Sequence, residues 1–554
     1  MPAAGFPEQI KKIFTFERTF LLILVIAFVI RFAFLDLKLF HHDESIHAWF
    51  SFDLLTKGAW TYDPSYHGPF LYFVTAGMFA LFGASDLVGR LLPAFFGFLL
   101  IPLVWCIYRL GYLSKTQTLV AALFLAVSPD MVYFSRFLRH DIFMLAFTLM
   151  LVVAILAYFE RKQTRYAILA AVAAAGSLCC KEEMPVIIII IGLFFAIALY
   201  QKRFVLPPQW KTDLLLFIVL VAGIMGVLYT GFLGHPETLT GQNFNVTTSG
   251  WYQAIEHWSA MHQQQRLGGP WFFYLPLYLL YELPIFILAV IAAFQFLIPV
   301  DRIRIAGKKV RNLIREGSSA LSTADLATES IRQLAVARQE PDKTDEFIRF
   351  CIWWMILTMA FYAWVGEKVP WLIIHQLLPM IFVATYKFNR WKAAIALLGT
   401  IFLVAMTWHV AFVPLDINEP IVQVQNSEDM RVVMNLMDHA DGIVLASESY
   451  WPLPWYYRGD RWNEMITFYG KKIELPALTT TDPDIIILHD TDSYDAIEGY
   501  KKTTYKLCYW FSYYDNEDRL LEYYIHRDGK MGSINIDVFV KDNSTLSSLV
   551  KTAA

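Results

Sequence analysis

The sequence predicts a polytopic α-helical membrane protein: a bundle of about eleven spans, with a small extracytoplasmic α/β domain at its C-terminal end. Three observations carry this reading. Apolar residues make up 56% of the 554-residue chain and aromatics 16%, more than an ordinary soluble protein of this length holds. Apolar runs of roughly 20 residues, the length a helix needs to cross a bilayer, recur through the first three quarters of the chain. Lys and Arg gather in alternate loops, the asymmetry that marks a cytoplasmic side. The net charge of −3 is nearly neutral and gives no ground for a nucleic-acid partner. Of five cysteines, Cys106, Cys179, Cys180 and Cys351 sit in or beside apolar stretches, which is no disulfide framework.

The first predicted span, residues 18 to 35, follows Lys11 and Lys12. Acidic residues come after it without a small-residue cleavage site, so it is read as a retained span. The others run over 86 to 109, 115 to 134, 141 to 159, 166 to 180, 184 to 200, 212 to 233, 272 to 298, 347 to 365, 371 to 386 and 392 to 411. Residues 69 to 82 are apolar too, but they are short and bounded by Gly68 and Gly83, and are assigned to a juxtamembrane helix at the interface. Leaving them out puts Arg109, Lys115, Arg161, Lys162, Arg165, Lys202, Arg203, the cluster from Arg302 to Arg315 and the stretch from Lys387 to Lys392 on one side. The positive-inside rule makes that side, and the N-terminus, cytoplasmic. Loops 36 to 85, 135 to 141, 179 to 183, 234 to 271 and 366 to 370 then face outward, with everything after about residue 412.

Two domains follow: the bundle over 1 to 411, with a polar cytoplasmic linker at 299 to 346, and the α/β domain over 412 to 554. The tail alternates short apolar runs (442 to 446, 484 to 488, 534 to 540) with a helical stretch at 427 to 440. It holds 23 Asp plus Glu against 13 Lys plus Arg, so the domain is acidic.

The chemistry-bearing residues fall on the outer side. His42-Asp43-Glu44 directly follows the first span, where a carboxylate meets water at the bilayer edge and can act as base, metal ligand or both. A bland reading is that Asp43 caps a helix running to about Leu55. Three more clusters share the face: Arg139-His140-Asp141, Lys181-Glu182-Glu183 and Glu367-Lys368, with His375 further on. Each alone reads as a helix-terminus or snorkelling charge. Together they supply acids for a proton or metal, and cations (Arg139, Lys181, Lys368) for the charge developing on a phosphate leaving group. The loop from 234 to 271 adds Trp251, His257, Trp258 and His262; the two histidines are badly spaced for one metal, and the tryptophans are first read as an interfacial aromatic belt.

His42-Asp43-Glu44-Ser45-Ile46-His47, Gly68-Pro69-Phe70-Leu71-Tyr72, Gly89-Arg90-Leu91-Leu92-Pro93 and Gly366-Glu367-Lys368-Val369-Pro370-Trp371 together resemble the GT-C glycosyltransferases of the protein O-mannosyltransferase and aminoarabinose transferase type. The nearer resemblance is to an archaeal-type, flippase activity-associated subfamily. The likeness implies a GT-C bundle and a polyprenyl-phosphate sugar donor, with transfer to an extracytoplasmic glycan, lipid or protein acceptor. It implies that the first-loop acid, here Asp43 with Glu44 beside it, is catalytic, that Asp141 is the second acid, and that Lys368 is the late basic residue. His42, His67, His140, Glu182, Glu367 and His375 are the further substrate-binding candidates. No cofactor is required, though a divalent cation beside Asp43 is compatible with the acids. One departure stands out: aminoarabinose transferases carry Lys just before the Pro of the juxtamembrane helix, where this chain has His67-Gly68-Pro69. The alternative reading is an accessory or translocator for lipid-linked glycans that makes no glycosidic bond.

Overall fold

The structure, a computed structural model, describes residues 15–58, 60–264, 268–298, 342–542 and 546. The predicted linker, except 342–346, and the basic cluster from Arg302 to Arg315 lie outside these residues.

Apart from short helical turns, the bundle runs α1 (Phe16–Phe32), α2 (His42–Lys57), α3 (Phe70–Phe82), α4 (Asp86–Arg109), α5 (Lys115–Val127), α6 (Pro129–Ser135), α7 (His140–Arg161), α8 (Thr164–Leu178), α9 (Met184–Tyr200), α10 (Trp210–Tyr229), α11 (Gly250–Gln264), α12 (Tyr274–Tyr281), α13 (Leu283–Leu297), α14 (Lys343–Trp364), α15 (Ile373–Ala384) and α16 (Arg390–Phe412). Every stretch predicted as a span coincides with one of these helices or with a bent pair. Among the described residues, five helices (α4, α7, α10, α14 and α16) are long and apolar enough to cross a membrane alone, and up to seven spans result if each bent pair counts as one. The pairs are α5 with α6, bent by 57°, and α12 with α13, bent by 112°. Proline explains both breaks: Pro129 and Pro284 stand in the first turn of the second helix, where a missing N–H is tolerated, and neither can continue the helix before it. α3 is a 13-residue helix, short of a span, as its bounding glycines predicted.

α7 runs through the middle of the bundle, its side chains almost all buried from His140 to Ala157, whereas α10 buries only Asp213. The site described below opens at the N-terminus of α7, so a helix buried along most of its length stands behind it.

After α16 comes a six-stranded mixed sheet: β1 (Gln425–Asn426), β2 (Ile443–Ala446), β3 (Ile466–Phe468), β4 (Ile485–His489), β5 (Tyr500–Phe511) and β6 (Met531–Lys541), in the order β1-β5-β6-β4-β2-β3. β2 pairs in parallel with β3 and β4, and the other pairs are antiparallel. The predicted runs coincide with β2, β4 and β6, and the predicted helix with α17 (Asp429–Met437). The longest strand, β5, escaped prediction because its first half reads Tyr-Lys-Lys-Thr-Thr-Tyr-Lys and buries no residue fully; tertiary pairing with β6, not an apolar pattern, makes it a strand.

The sheet region sits on the loop between α1 and α2 and on the N-terminus of α4. Trp455 and Tyr456 donate to the two oxygens of Asp86 (2.7 and 2.6 Å), and Asn426 donates to the Phe40 carbonyl (2.7 Å). The Trp455 ring, fully buried, lies 5.5 Å from both Phe40 and Phe79. The aromatic run around Trp455 thus fastens this region to the bundle.

Candidate active site

α2 opens with a capping box that separates its two acids. The His41 ring accepts from the Asp43 N–H (3.0 Å), and the Glu44 carboxylate reaches back to the His41 N–H (2.9 Å). The cap is therefore His41 with Glu44, and Asp43 is spared the capping role the sequence offered it. Glu44 is fully buried; it also accepts from the Arg90 guanidinium and from the Leu138 N–H (2.7 Å). Arg90 spends its remaining donors on the carbonyls of Leu35, Lys38 and Leu39. Glu44 thus faces a closed clamp behind the helix, away from its neighbour.

Asp43, half-buried, points the other way and pairs with Arg139. The same guanidinium donates from Nε to Asp141 (3.2 Å) and stacks over the Trp371 ring at 3.7 Å. Lys181 donates to the second oxygen of Asp141 (2.9 Å) and lies 3.6 Å from Glu183, and His375 approaches Asp141 at 3.5 Å. Five predicted residues from four separate segments (Asp43, Arg139 with Asp141, Lys181, His375) therefore form one connected cluster, all buried except Asp43. Burial works to raise the Asp43 carboxyl pKa, but Arg139 and the rings of His41, His42 and His47 outweigh it and hold the group well below the usual carboxylate range. For Lys181 the order is similar: burial lowers the ammonium pKa, while Asp141 and Glu183 outweigh burial and raise it. Burial, joined by Arg139, depresses His47 to about 3, and burial takes His41 to about 4, so both rings are neutral at neutral pH. His42 is lowered by burial as well.

A second layer lies beside the cluster. Glu182 accepts from the Tyr62 hydroxyl (2.8 Å) and contacts His67 Nδ1 (2.9 Å); these partners outweigh burial and lower its pKa. The His67 ring lies flat on Trp258, 5.2 Å away and inclined by 6°, so this tryptophan lines the site and is no mere belt residue. His140 is buried against the Gly68 carbonyl (3.1 Å). Gly68 itself is forced: its N–H and that of Phe70 donate to the carbonyls of Cys180 and Cys179, and a Cβ there would lie 2.2 Å from the Cys179 oxygen. The lysine that aminoarabinose transferases carry at this point has no room here.

These residues border a cavity of about 340 Å³. His67, Arg139, Lys181, Glu182 and Trp258 stand along it, with Glu367 and Trp371. Lys368 is turned elsewhere: its ammonium caps the C-terminus of α14 by donating to the carbonyls of Tyr362 and Ala363 (2.8 Å each) and of Val365. Burial lowers its pKa.

Among the described residues, the group able to hold a metal ion is Asp141, Glu183 and His375, whose ligand atoms lie within 4.8 Å of one another. It lies at Asp141, one guanidinium away from the predicted position at Asp43. Two carboxylates and an imidazole suit a divalent cation, but the Lys181 ammonium stands against both carboxylates and supplies the positive charge itself.

Sequence reasoning missed Glu183 as a site residue, the Arg90 clamp, and a buried pair in the bundle. Glu282, at the break between α12 and α13, accepts from the Ser128 hydroxyl (2.6 Å) and the Asp130 N–H (3.1 Å) at the break between α5 and α6. The signal for the last was present, since an ionisable residue inside an apolar span is unusual enough to single out.

A helical membrane bundle with an ionic cluster at the end that carries its sheet region defines the class: a membrane-type fold built around a charged site at one end. Residues 66–226 match the family described as dolichyl-phosphate-mannose-protein mannosyltransferase. The crystal structure of ArnT from Cupriavidus metallidurans bound to undecaprenyl phosphate superimposes with a TM-score of 0.52 at 13% identity, over 95% of this chain and 98% of that one, which shows a shared fold. The apo oligosaccharyltransferase of Archaeoglobus fulgidus gives a TM-score of 0.46 at 14% identity, over 82% of this chain and 65% of that one. No curated protein matches the chain by sequence. The family match over residues 66–226 and the fold shared with ArnT agree with the resemblance read from the sequence.

Proposed function

We propose that the chain is a membrane glycosyltransferase that moves a sugar from a polyprenyl-phosphate donor to an extracytoplasmic acceptor in surface glycan or glycoprotein assembly. The observation that carries this is one guanidinium, Arg139, shared between Asp43 and Asp141 at the edge of a cavity that Lys181 also borders. In this reading the donor phosphate enters beside Lys181 and draws Arg139 toward itself. Asp43 loses its counter-charge, becomes more basic, and takes the proton of the acceptor hydroxyl. The acceptor oxygen bonds to the anomeric carbon as the bond to the phosphate oxygen breaks, and Arg139 and Lys181 stabilise the charge left on the departing polyprenyl phosphate. Asp141 keeps both cations oriented, with His375 behind it. Glu182, His67 and His140 shape the wall, Glu367 borders the cavity, and His42, next to Asp43 in sequence, is a further substrate contact. Glu44 and Lys368 serve as structural supports, a clamp and a helix cap. Should a divalent cation bind, Asp141, Glu183 and His375 would hold it, adding positive charge for the phosphate.

The topology in this proposal has eleven crossings, a cytoplasmic N-terminus and an extracytoplasmic α/β domain from residue 412. The test is transfer from a polyprenyl-phosphate sugar by purified wild-type and Asp43→Asn protein; an Asn variant as active as wild type sinks the assignment. An accessory or translocating role is the second reading. One observation favours it: Asp130 and Glu282 meet at two helix breaks, the kind of place where transport sites are built. Lipid-linked glycan that still reaches the outer leaflet, without any transfer, would choose that reading.

A further inference from the structure

Beyond the wall formed by Tyr62, His67 and Glu182 lies a separate cleft of about 580 Å³, which the transfer reading leaves unused. α2 contributes Asp53, the segment after it contributes Trp60, Tyr62, Asp63 and Tyr66, and α11 contributes Gln253. The aromatic side is preorganised. Tyr66 packs on Phe50 with ring centroids 4.7 Å apart, and Trp60 packs on Tyr72 at 5.1 Å. The Tyr72 hydroxyl donates to the Tyr66 carbonyl (2.7 Å), which fixes the turn, and the Tyr62 hydroxyl is held by Glu182. Tyr66 keeps 37% of its surface exposed.

The polar side is acidic. Asp63 uses one oxygen to accept from the Ser65 N–H (2.8 Å), and Asp53 is paired with Lys57 at 2.5 Å. The Gln253 amide is exposed. Among the described residues lining the cleft there is no Lys, Arg or His, whereas the cavity on the other side of the wall sets Arg139 and Lys181 beside its glutamates. A phosphate or carboxylate ligand would meet the Asp63 carboxylate, and the one nearby ammonium, Lys57, is already claimed by Asp53. A pyranose ring offers a C–H face for stacking on aromatic rings and a rim of hydroxyls that donate to carboxylates and amides, and the volume falls in the range of small-ligand sites.

We propose that this cleft is a binding site for an uncharged oligosaccharide. The binding stands on the cleft alone; its place in transfer, as a seat for sugars beyond the reacting one, rests on the reading above. The sugars could belong to the donor or to the acceptor, and the chemistry of recognition is the same.

The test is saturation-transfer NMR on the full-length protein in nanodiscs, free of sugar-based detergent, with mannotriose as probe and inorganic phosphate as control. Wild type should give transfer to the trisaccharide. Tyr66→Ala, and independently Asp63→Asn, which keeps the oxygen that accepts from Ser65, should weaken binding about tenfold, the scale of one lost polar or stacking contact. No transfer in wild type, binding unchanged in both variants, or phosphate displacing the trisaccharide overturns the proposal. Displacement by a polyprenyl-phosphate-linked oligosaccharide assigns the cleft to the donor's distal sugars, and additive binding assigns it to the acceptor; either result upholds the site. A protein that binds mannotriose yet transfers nothing defeats the transferase reading and spares this one.

Discussion

Asp43 and Glu44 are neighbours in sequence, each pairs with an arginine, and the two pairs have opposite characters. On the Glu44 side, Arg90 closes the arrangement by donating to three backbone carbonyls, and the space that it and Glu44 border is only about 40 Å³, too small for a sugar or a phosphate. On the Asp43 side, Arg139 answers to two carboxylates at once, stacks on Trp371 and borders a cavity. A carboxylate–guanidinium pair is therefore no sign of function by itself. What separates the two is whether the arginine's remaining capacity is spent on the backbone or held at a space that a ligand can enter.

The comparison is broken most directly by exchanging the acids for amides. Asp43→Asn keeps shape and removes the base, so transfer from a polyprenyl-phosphate sugar should fall by about 10²–10⁴-fold, the usual worth of general-base catalysis, with a smaller loss of melting temperature than the Glu44 variant shows. Glu44→Gln should do the opposite. It leaves Arg90 as a buried uncompensated charge, a loss of about 3–5 kcal/mol, read as a lowered melting midpoint and poor recovery from membranes. Equal activity losses with equal stability in the two variants would erase the distinction.

Arg139→Lys is a finer probe. Lysine keeps the charge but cannot bridge Asp43 and Asp141 with a planar fork. Loss of one charge-assisted hydrogen bond, about 1.5–3 kcal/mol, should cut donor turnover about 10- to 100-fold in kcat/KM. The matching change at Arg90 should show in stability and not in kcat/KM measured on the surviving folded protein.

The pH response separates the regions as well. His47, beside Asp43, is held neutral with a pKa of about 3, whereas an unfolded chain protonates its histidines near about 6.5. The unfolded state thus binds more protons as pH falls, and stability should decline steadily from about pH 6.5 toward 3. Asp43 works in the same direction, but lower. Its folded pKa is depressed, so its contribution is complete above the unfolded value of about 3.9 and is lost only below it. A melting midpoint that rises on acidification between pH 6 and 4 would contradict the neutral assignment of this histidine layer.

How much of this was legible in the sequence depended on the range of the forces involved. Apolar runs and the side preference of Lys and Arg are local signals, and they located the helices and brought Asp43, Arg139, Asp141 and Lys181 to one end. The opposed fates of Asp43 and Glu44 were not legible, because they follow from which residue caps α2, and that role fell to His41, a residue outside the usual capping set. Lys368 read as a phosphate contact for the same kind of reason: its charge is visible in sequence, but the three carbonyls at the end of α14 that claim it are not. β5 and the Asp130–Glu282 contact rest on pairing across long separations that no periodicity reports.

The smallest expected effect tests the wall between the cavity and the acidic cleft. Tyr62→Phe removes the hydroxyl that donates to Glu182 and leaves the ring in place. The net worth of such a bond is about 0.5–1.5 kcal/mol, so the melting midpoint should drop only slightly. Glu182 would then depend on His67 and a backbone N–H, and its pKa should rise from its lowered value toward that of an ordinary carboxylate, because one of the partners opposing burial is gone. His67 lies flat on Trp258 at the edge of the cavity, so a looser Glu182 should loosen that stack too, seen as a change in tryptophan fluorescence and a rise of about two- to tenfold in KM for the donor, with kcat nearly constant. A change confined to kcat would mean that the wall belongs with Asp43 and the reacting atoms, and the boundary between the two regions would have to be redrawn on the far side of Glu182.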